Sequence, residues 1–171
     1  EYAANGIDPI AVKQLVGGTW TTMSSATYGV APPHSPATTT DGAGKTMSFT
    51  YSATTGQVAT ITNPKSEVVT FGYGTSSTSP DYQRLVSVSG DVPGGNRAFT
   101  YDAFGRVRTT STTDGQSLTY DYDSLDRLRV VTYPDGSFEQ FEYEDHSLIA
   151  TKDREGRWTR HMYNPLRQRV V

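Results

Sequence analysis

The sequence contains no cysteine, which excludes structural disulfides, thiol nucleophiles and cysteine-based zinc sites without fixing a compartment. Its three histidines, His34, His146 and His161, have no partner at i, i+2 or i, i+4, so a histidine metal site is not indicated. No apolar run reaches the roughly 18–20 residues of a helical membrane span, and no signal peptide opens the chain. Basic residues are not in excess either. The formal net charge is −3 and no basic stripe is present, which argues against a nucleic-acid partner. Helical periodicity is missing as well: no dozen residues sustain an i, i+3, i+4, i+7 apolar stripe. At most a short helical turn fits Ile7 to Leu15, and Pro9 interrupts it.

What fills the 171 residues is period-two alternation, with plentiful Gly, Thr, Ser and Tyr and only 35% hydrophobic residues. That balance fits β structure with a thin core and much half-exposed sheet. Tyrosines that end an alternating segment recur at Tyr2, Tyr28, Tyr51, Tyr73, Tyr101, Tyr122, Tyr143 and Tyr163, with the later spacings close to 21 residues. Two positions earlier stands a second aromatic at Phe49, Phe71, Phe99, Tyr120 and Phe141, with His161 at the last rung. Longer units carry their extra residues in turns, as at Thr75–Pro80, which is how structural repeats vary. Residues 49–171 read as well-formed repeats and 1–48 as degenerate repeats continuous with them, a disordered leader being the alternative for 1–48. Within 1–48, Gly17-Gly18 marks a hairpin, and Pro32, Pro33 and Pro36 a long turn or an edge. The chain opens on Glu1 rather than Met, pointing to an excised or processed segment of a longer protein.

Asp114-Gly115 and Asp135-Gly136 between alternating runs, and Glu155-Gly156 by analogy, signal hairpins with two-residue type I′ turns. Such turns fix the register. Val107 then faces Tyr122, Leu128 faces Tyr143, Leu148 faces Tyr163 and Ile149 faces Met162. The same register predicts cross-strand ion pairs Arg106–Asp123, Arg108–Asp121, Arg127–Glu144 and Arg129–Glu142.

Tyr-Asp-x-x-Gly-Arg-Val at Tyr101–Val107, its near-copy at Tyr122–Leu128 and the repeat length near 21 resemble the Rhs/YD-repeat family, which includes bacterial Rhs proteins, the cocoon component of Tc toxins and the teneurins. Thr132–Gly136 and Asp153–Arg160 are similar to bacterial Rhs text. The motif loosens elsewhere, with Ser52, Gly74, Glu144 and Asn164 following their tyrosines. The resemblance implies an all-β strip of tandem antiparallel hairpins that curves and spirals into part of a hollow shell. It further implies an extracellular or exported bacterial protein that encloses cargo such as a toxin domain, or a surface scaffold. Its repeats would use no cofactor and carry no catalysis. The paired-aspartate self-processing segment of some members has no counterpart, since Asp135, Asp145 and Asp153 sit inside repeat turns.

Other chemistry is weakly signalled. Asp121, Asp123, Glu142 and Glu144 have the composition of paired acid–base carboxylates, but the predicted register gives each an arginine. No Gly-x-Ser-x-Gly or phosphate-loop text is present. The leading reading is a non-enzymatic structural module whose partners are flanking repeats or copies of itself. A self-assembling filament subunit remains open, as does an adhesion module that binds glycan through Trp20 or Trp158 and the insertions at Thr75–Pro80 and Pro32–Pro36.

Overall fold

The computed structural model describes residues 1–29, 32–91, 94–164 and 166–170. Of the proline-rich stretch, Val30 and Ala31 lie outside these residues. Among the described residues every regular element is a strand, and the chain divides into two compact units.

The first unit comprises Glu1–Thr75 and Gln83–Asn96. Its strands are β1 (Ala11–Val16), β2 (Thr19–Tyr28), β3 (Pro36–Asp41), β4 (Thr46–Tyr51), β5 (Val58–Thr62), β6 (Val68–Tyr73) and β7 (Leu85–Gly90). The second comprises Ser76–Tyr82 and Arg97–Val171. It holds β8 (Arg97–Tyr101), β9 (Val107–Thr112), β10 (Ser117–Tyr122), β11 (Leu128–Thr132), β12 (Phe138–Glu144), β13 (Ser147–Lys152) and β14 (Trp158–Arg160), with a small pair, β15 (Met162–Tyr163) and β16 (Arg169–Val170). Within each unit the strands lie in chain order and pair antiparallel with their neighbours, a sheet of consecutive hairpins that does not close on itself. This is the all-β hairpin-repeat fold that the alternation and the tyrosine period predict.

The segment Ile7–Leu15 departs from its expectation. Ala11–Val16 is a strand, paired with β2 from Ala11↔Ser25 to Val16↔Thr19. Gly17 and Gly18, at φ 56° and 83°, form a true two-residue turn there. A hairpin closed by two left-handed glycines overrides the weak helical pattern.

Burial is sparse. Val131 and Ala150 are the only buried hydrophobic residues among those described, at 7% and 3% exposure. Neither sheet therefore rests on a packed second layer, and cohesion comes from cross-strand pairs and from each repeat's contact with the next. Threonine contributes directly: hydroxyls meet across strands at Thr27–Thr38 (2.6 Å), Thr40–Thr46 (2.9 Å), Thr50–Thr60 (2.7 Å) and Thr100–Thr109 (2.7 Å). These pairs give the polar, Thr-rich composition a structural purpose.

Most turns are one construction. In eight five-residue turns, beginning at Asp41, Asn63, Asp102, Thr112, Asp123, Tyr133, Asp153 and Asn164, the first N–H donates to the fifth carbonyl and the fourth N–H to the first. The fourth residue is left-handed each time, whether Gly115 (φ 83°), Ser66 (φ 67°), Asp126 (φ 62°) or Arg167 (φ 59°). Asp114-Gly115, Asp135-Gly136 and Glu155-Gly156 are thus positions three and four of this turn, and the two-residue type I′ assignment is corrected. Only the glycine takes positive φ, so an extra residue enters the loop and the register moves by one. Ser66 has no glycine-like freedom at its left-handed position. Ser66→Gly is expected to raise stability by about 0.5–1 kcal/mol, read from the urea midpoint.

Candidate functional site

The feature that recurs is a latch between neighbouring hairpins, assembled by the tyrosine ladder. Tyr51, Tyr73, Tyr122, Tyr143 and Tyr163 donate their hydroxyls to the carbonyls of Pro36, Val58, Val107, Leu128 and Leu148, always fifteen residues back, at 2.8–3.0 Å. Tyr28 does the same to Pro9, nineteen back, at 3.1 Å. Tyr2 stands apart, 65% exposed and joined to Pro9 by an isolated bridge.

Each latch sits at a bulge. The register shifts at Tyr28, Tyr51, Tyr73, Tyr101, Tyr122 and Tyr143, placing each opposite an aliphatic residue or proline of the following strand, such as Val107 for Tyr101 and Leu128 for Tyr122. A ladder tyrosine therefore pairs forward through its backbone and bonds backward through its hydroxyl. The facing predicted from two-residue turns is corrected accordingly: Tyr122 reaches Val107, Tyr143 reaches Leu128 and Tyr163 reaches Leu148 by hydroxyl rather than as strand partners. Ile149 accepts from the His161 N–H instead of opposing Met162. Burial pushes the Tyr122 phenol up from its ordinary pKa, with Tyr120 and Asp102 adding to the shift, so the hydroxyl stays a donor.

The second component is an aspartate–arginine clamp inside the turns. Asp102 Oδ1 accepts the N–H groups of Phe104 and Arg106 at 2.9 and 3.0 Å, while Oδ2 takes Arg106 Nε at 2.7 Å. Asp123 with Leu125 and Arg127, and Asp153 with Glu155 and Arg157, repeat this geometry. Asp41, Asn63 and Asn164 accept the fifth N–H of their turns in the same way. Arg106 then crosses to the next turn, donating to Asp126 Oδ1 at 2.8 Å and the Asp123 carbonyl at 3.0 Å, with its guanidinium 4.8 Å from the Tyr122 ring centre. Arg127 bonds the Asp145 carbonyl and lies 4.5 Å from Tyr143. Arginine thus stacks on the ladder tyrosine while anchoring two successive turns.

Of the predicted ion pairs, Arg108–Asp121 forms. The other three are corrected. Arg106 and Arg127 take Asp102 and Asp123 of their own turns. Arg129 and Glu142 line one open depression of about 330 Å³ with Phe141 and Tyr143 and make no ion pair. The one-residue register change puts Arg106 beside Tyr122 and Arg127 beside Tyr143, where the prediction had carboxylates. The predicted sites omitted Asp102, Asp153, Asp41, Asn63 and Asn164. Their signal is an Asp or Asn three residues before a left-handed position, usually glycine.

Burial is the largest influence on Asp102 and Asp123 and pushes both carboxyls up, but the turn N–H groups and the paired guanidinium outweigh it and leave both below their ordinary pKa. Asp153 is lowered chiefly by the Arg157 N–H and side chain. A depressed native pKa means the folded state binds fewer protons than the unfolded one, so the stabilisation is present above the unfolded pKa of about 4 and lost below it. Thermal melts are expected to hold steady from neutral pH to about 5 and fall as the pH drops below about 4. Asp153→Asn should flatten that fall. Among the described residues no cluster of three or more His, Asp or Glu is placed to hold a metal ion. His34 instead meets Asp8, which is 6% exposed and also bonded to Asn5.

The geometry defines a class: an open antiparallel array of hairpin repeats, each tied to its predecessor by a tyrosine hydroxyl. Residues 101–137, which hold two aspartate–arginine clamps and the Tyr122 latch, match the RHS Repeat family model. The fold is shared with the crystal structure of TcdB2-TccC3-TEV (TM-score 0.65, 12% identity, 95% of this chain, 10% of that chain). It is shared equally with TcdB2-TccC3 without its hypervariable C-terminal region (TM-score 0.62, 17% identity, 95% of this chain, 9% of that chain). A third match is the Tc holotoxin pore of Photorhabdus luminescens (TM-score 0.53, 16% identity, 82% of this chain, 10% of that chain). The chain thus spans about a tenth of the length of the structures it matches. No curated protein sequence matches it.

Proposed function

We propose that this chain is a non-enzymatic structural module, a stretch of Rhs-type repeat wall from an exported bacterial protein that encloses cargo such as a toxin domain. The observation that carries this reading is the pairing of a repeated latch with an almost absent core. The sheet commits its side chains to holding neighbouring hairpins in line, and only two of its described hydrophobic residues are buried. Such a sheet makes surface, and the fold likeness to Tc toxin structures agrees with a wall. Its partners are then flanking repeats of the same kind, arranged as one continuous array.

Limited proteolysis of the full-length protein tests the enclosure. Any domain carried by the same polypeptide should be cut only after the repeats themselves are cut. Cleavage of that domain at the rate of its isolated form would remove the enclosure reading. Trp20, 66% exposed, favours one second reading, glycan contact. Saturable glycan binding lost in Trp20→Ala would support it.

A further inference from the structure

The five-residue turns of the second unit present their third side chain in one way, because the same two backbone bonds define each loop. Sequence alone decides what stands at each tip. On one rim, after β8, β10 and β15, the tips are Phe104, Leu125 and Leu166, exposed by 79%, 62% and 78%. On the opposite rim, after β9, β11 and β13, the same position holds Asp114, Asp135 and Glu155. An apolar rim and an acidic rim share one backbone design. Cross-strand pairing does not explain the difference, because tips lie beyond the paired residues.

The apolar tips are also held in place. The Arg106 guanidinium lies 4.9 Å from the Phe104 ring centre while Asp102 and Asp126 fix it from beside. The Phe104 and Leu125 N–H groups are bonded to Asp102 and Asp123. Successive tips on a rim are two strands apart, about 10 Å. The turn between Leu125 and Leu166 is different: Glu144 pairs with Ser147, so Asp145 and His146 form a two-residue turn with no third-position tip. The rim reads as tip, tip, gap, tip.

The geometry points to this rim as an interaction surface for a second copy of the chain, docked rim to rim about a two-fold axis. A partner must match apolar knobs at about 10 Å spacing, and a second such rim does so by construction. With Leu125 of the two copies face to face, Phe104 of each enters the other's gap over Asp145-His146, so the largest knob meets the one vacancy. An isologous contact of this kind closes at two copies. Three tips per copy cover well under the roughly 800 Å² per partner of a standard interface, which sets the contact in the weak, transient class. The inference does not depend on cargo enclosure.

Sedimentation velocity on the intact chain, from about 10 μM to about 1 mM, reads the association. The average mass of the wild type is expected to rise with concentration. Phe104→Ser combined with Leu125→Ser should hold it at the monomer value, and Glu155→Ser on the acidic rim should behave as wild type. Because the chain has no cysteine, Leu125→Cys should give a disulfide dimer several-fold faster than Phe104→Cys or Asp114→Cys. A wild type that stays monomeric throughout overturns the proposal. So does a Phe104/Leu125 double variant that associates like wild type, which would assign the contact to the sheet edges.

Discussion

Gly90→Ala is expected to be the most damaging single-methyl change in the first unit, lowering stability by about 3–5 kcal/mol. Gly90 ends β7 at φ 102°, outside the comfortable range of any L-residue, and an added Cβ would stand 2.2 Å from the Val68 carbonyl oxygen. That oxygen is not free to move. It accepts the Asp91 N–H at 2.8 Å, and the Val68 N–H is bonded in return to the Asp91 carboxylate. Backbone must therefore shift, and with it the β6–β7 pairing. Gly115→Ala provides the comparison: φ is 83° but nothing lies within 4 Å of the added atom, so about 1 kcal/mol is expected. Urea denaturation of the two variants checks the contrast, and equal losses would mean that conformation alone sets the cost.

Tyr122→Ala carries the next largest expected effect, about 3 kcal/mol, at the low end for an aromatic truncation because the ring is only partly buried. The substitution removes the hydroxyl bond to Val107, the ring beneath Arg106 and the contact opposite Leu128 together. Tyr122→Phe isolates the hydroxyl and is expected to cost about 1 kcal/mol. A Tyr122→Phe loss near zero would reduce the latch to a passive contact. A double-mutant cycle with Arg106→Ala measures the stacking separately.

The repeat period, the strand-rich fold and the positions of the tyrosines were legible in the sequence because they follow from periodicity, which tertiary context seldom alters. The register was misread by one residue for a local reason. Asp-Gly between alternating runs fits both a two-residue turn and the last half of a five-residue turn, and Gly17-Gly18 shows the former in this very chain. The discriminating residue is the one three positions before the glycine. At Asp102 and Asp153 it is an aspartate whose carboxylate accepts the turn's N–H groups, a bond that a two-residue loop has no room for. With the register changed, the arginines moved from carboxylates to tyrosine rings. Arg108–Asp121 survived because a long guanidinium reaches a diagonal neighbour as easily as an opposite one. The threonine pairs were hidden for another reason: threonine abundance is common to loops and strands, and only the pairing shows which hydroxyls meet.

The tyrosine latches have a consequence for how the chain acquires its structure. A bond to a carbonyl fifteen residues upstream needs only the hairpin already made and the strand now arriving. Low separation in sequence makes such closures fast and independent of anything further along the chain. A polypeptide emerging amino-end first, from a ribosome or from a narrow export channel, would set one hairpin at a time behind the point of exit, each tyrosine locking onto a strand already in place. No register decision has to wait for the carboxyl end. The same locality makes the reverse process a peeling, one latch after another, in place of a single collapse.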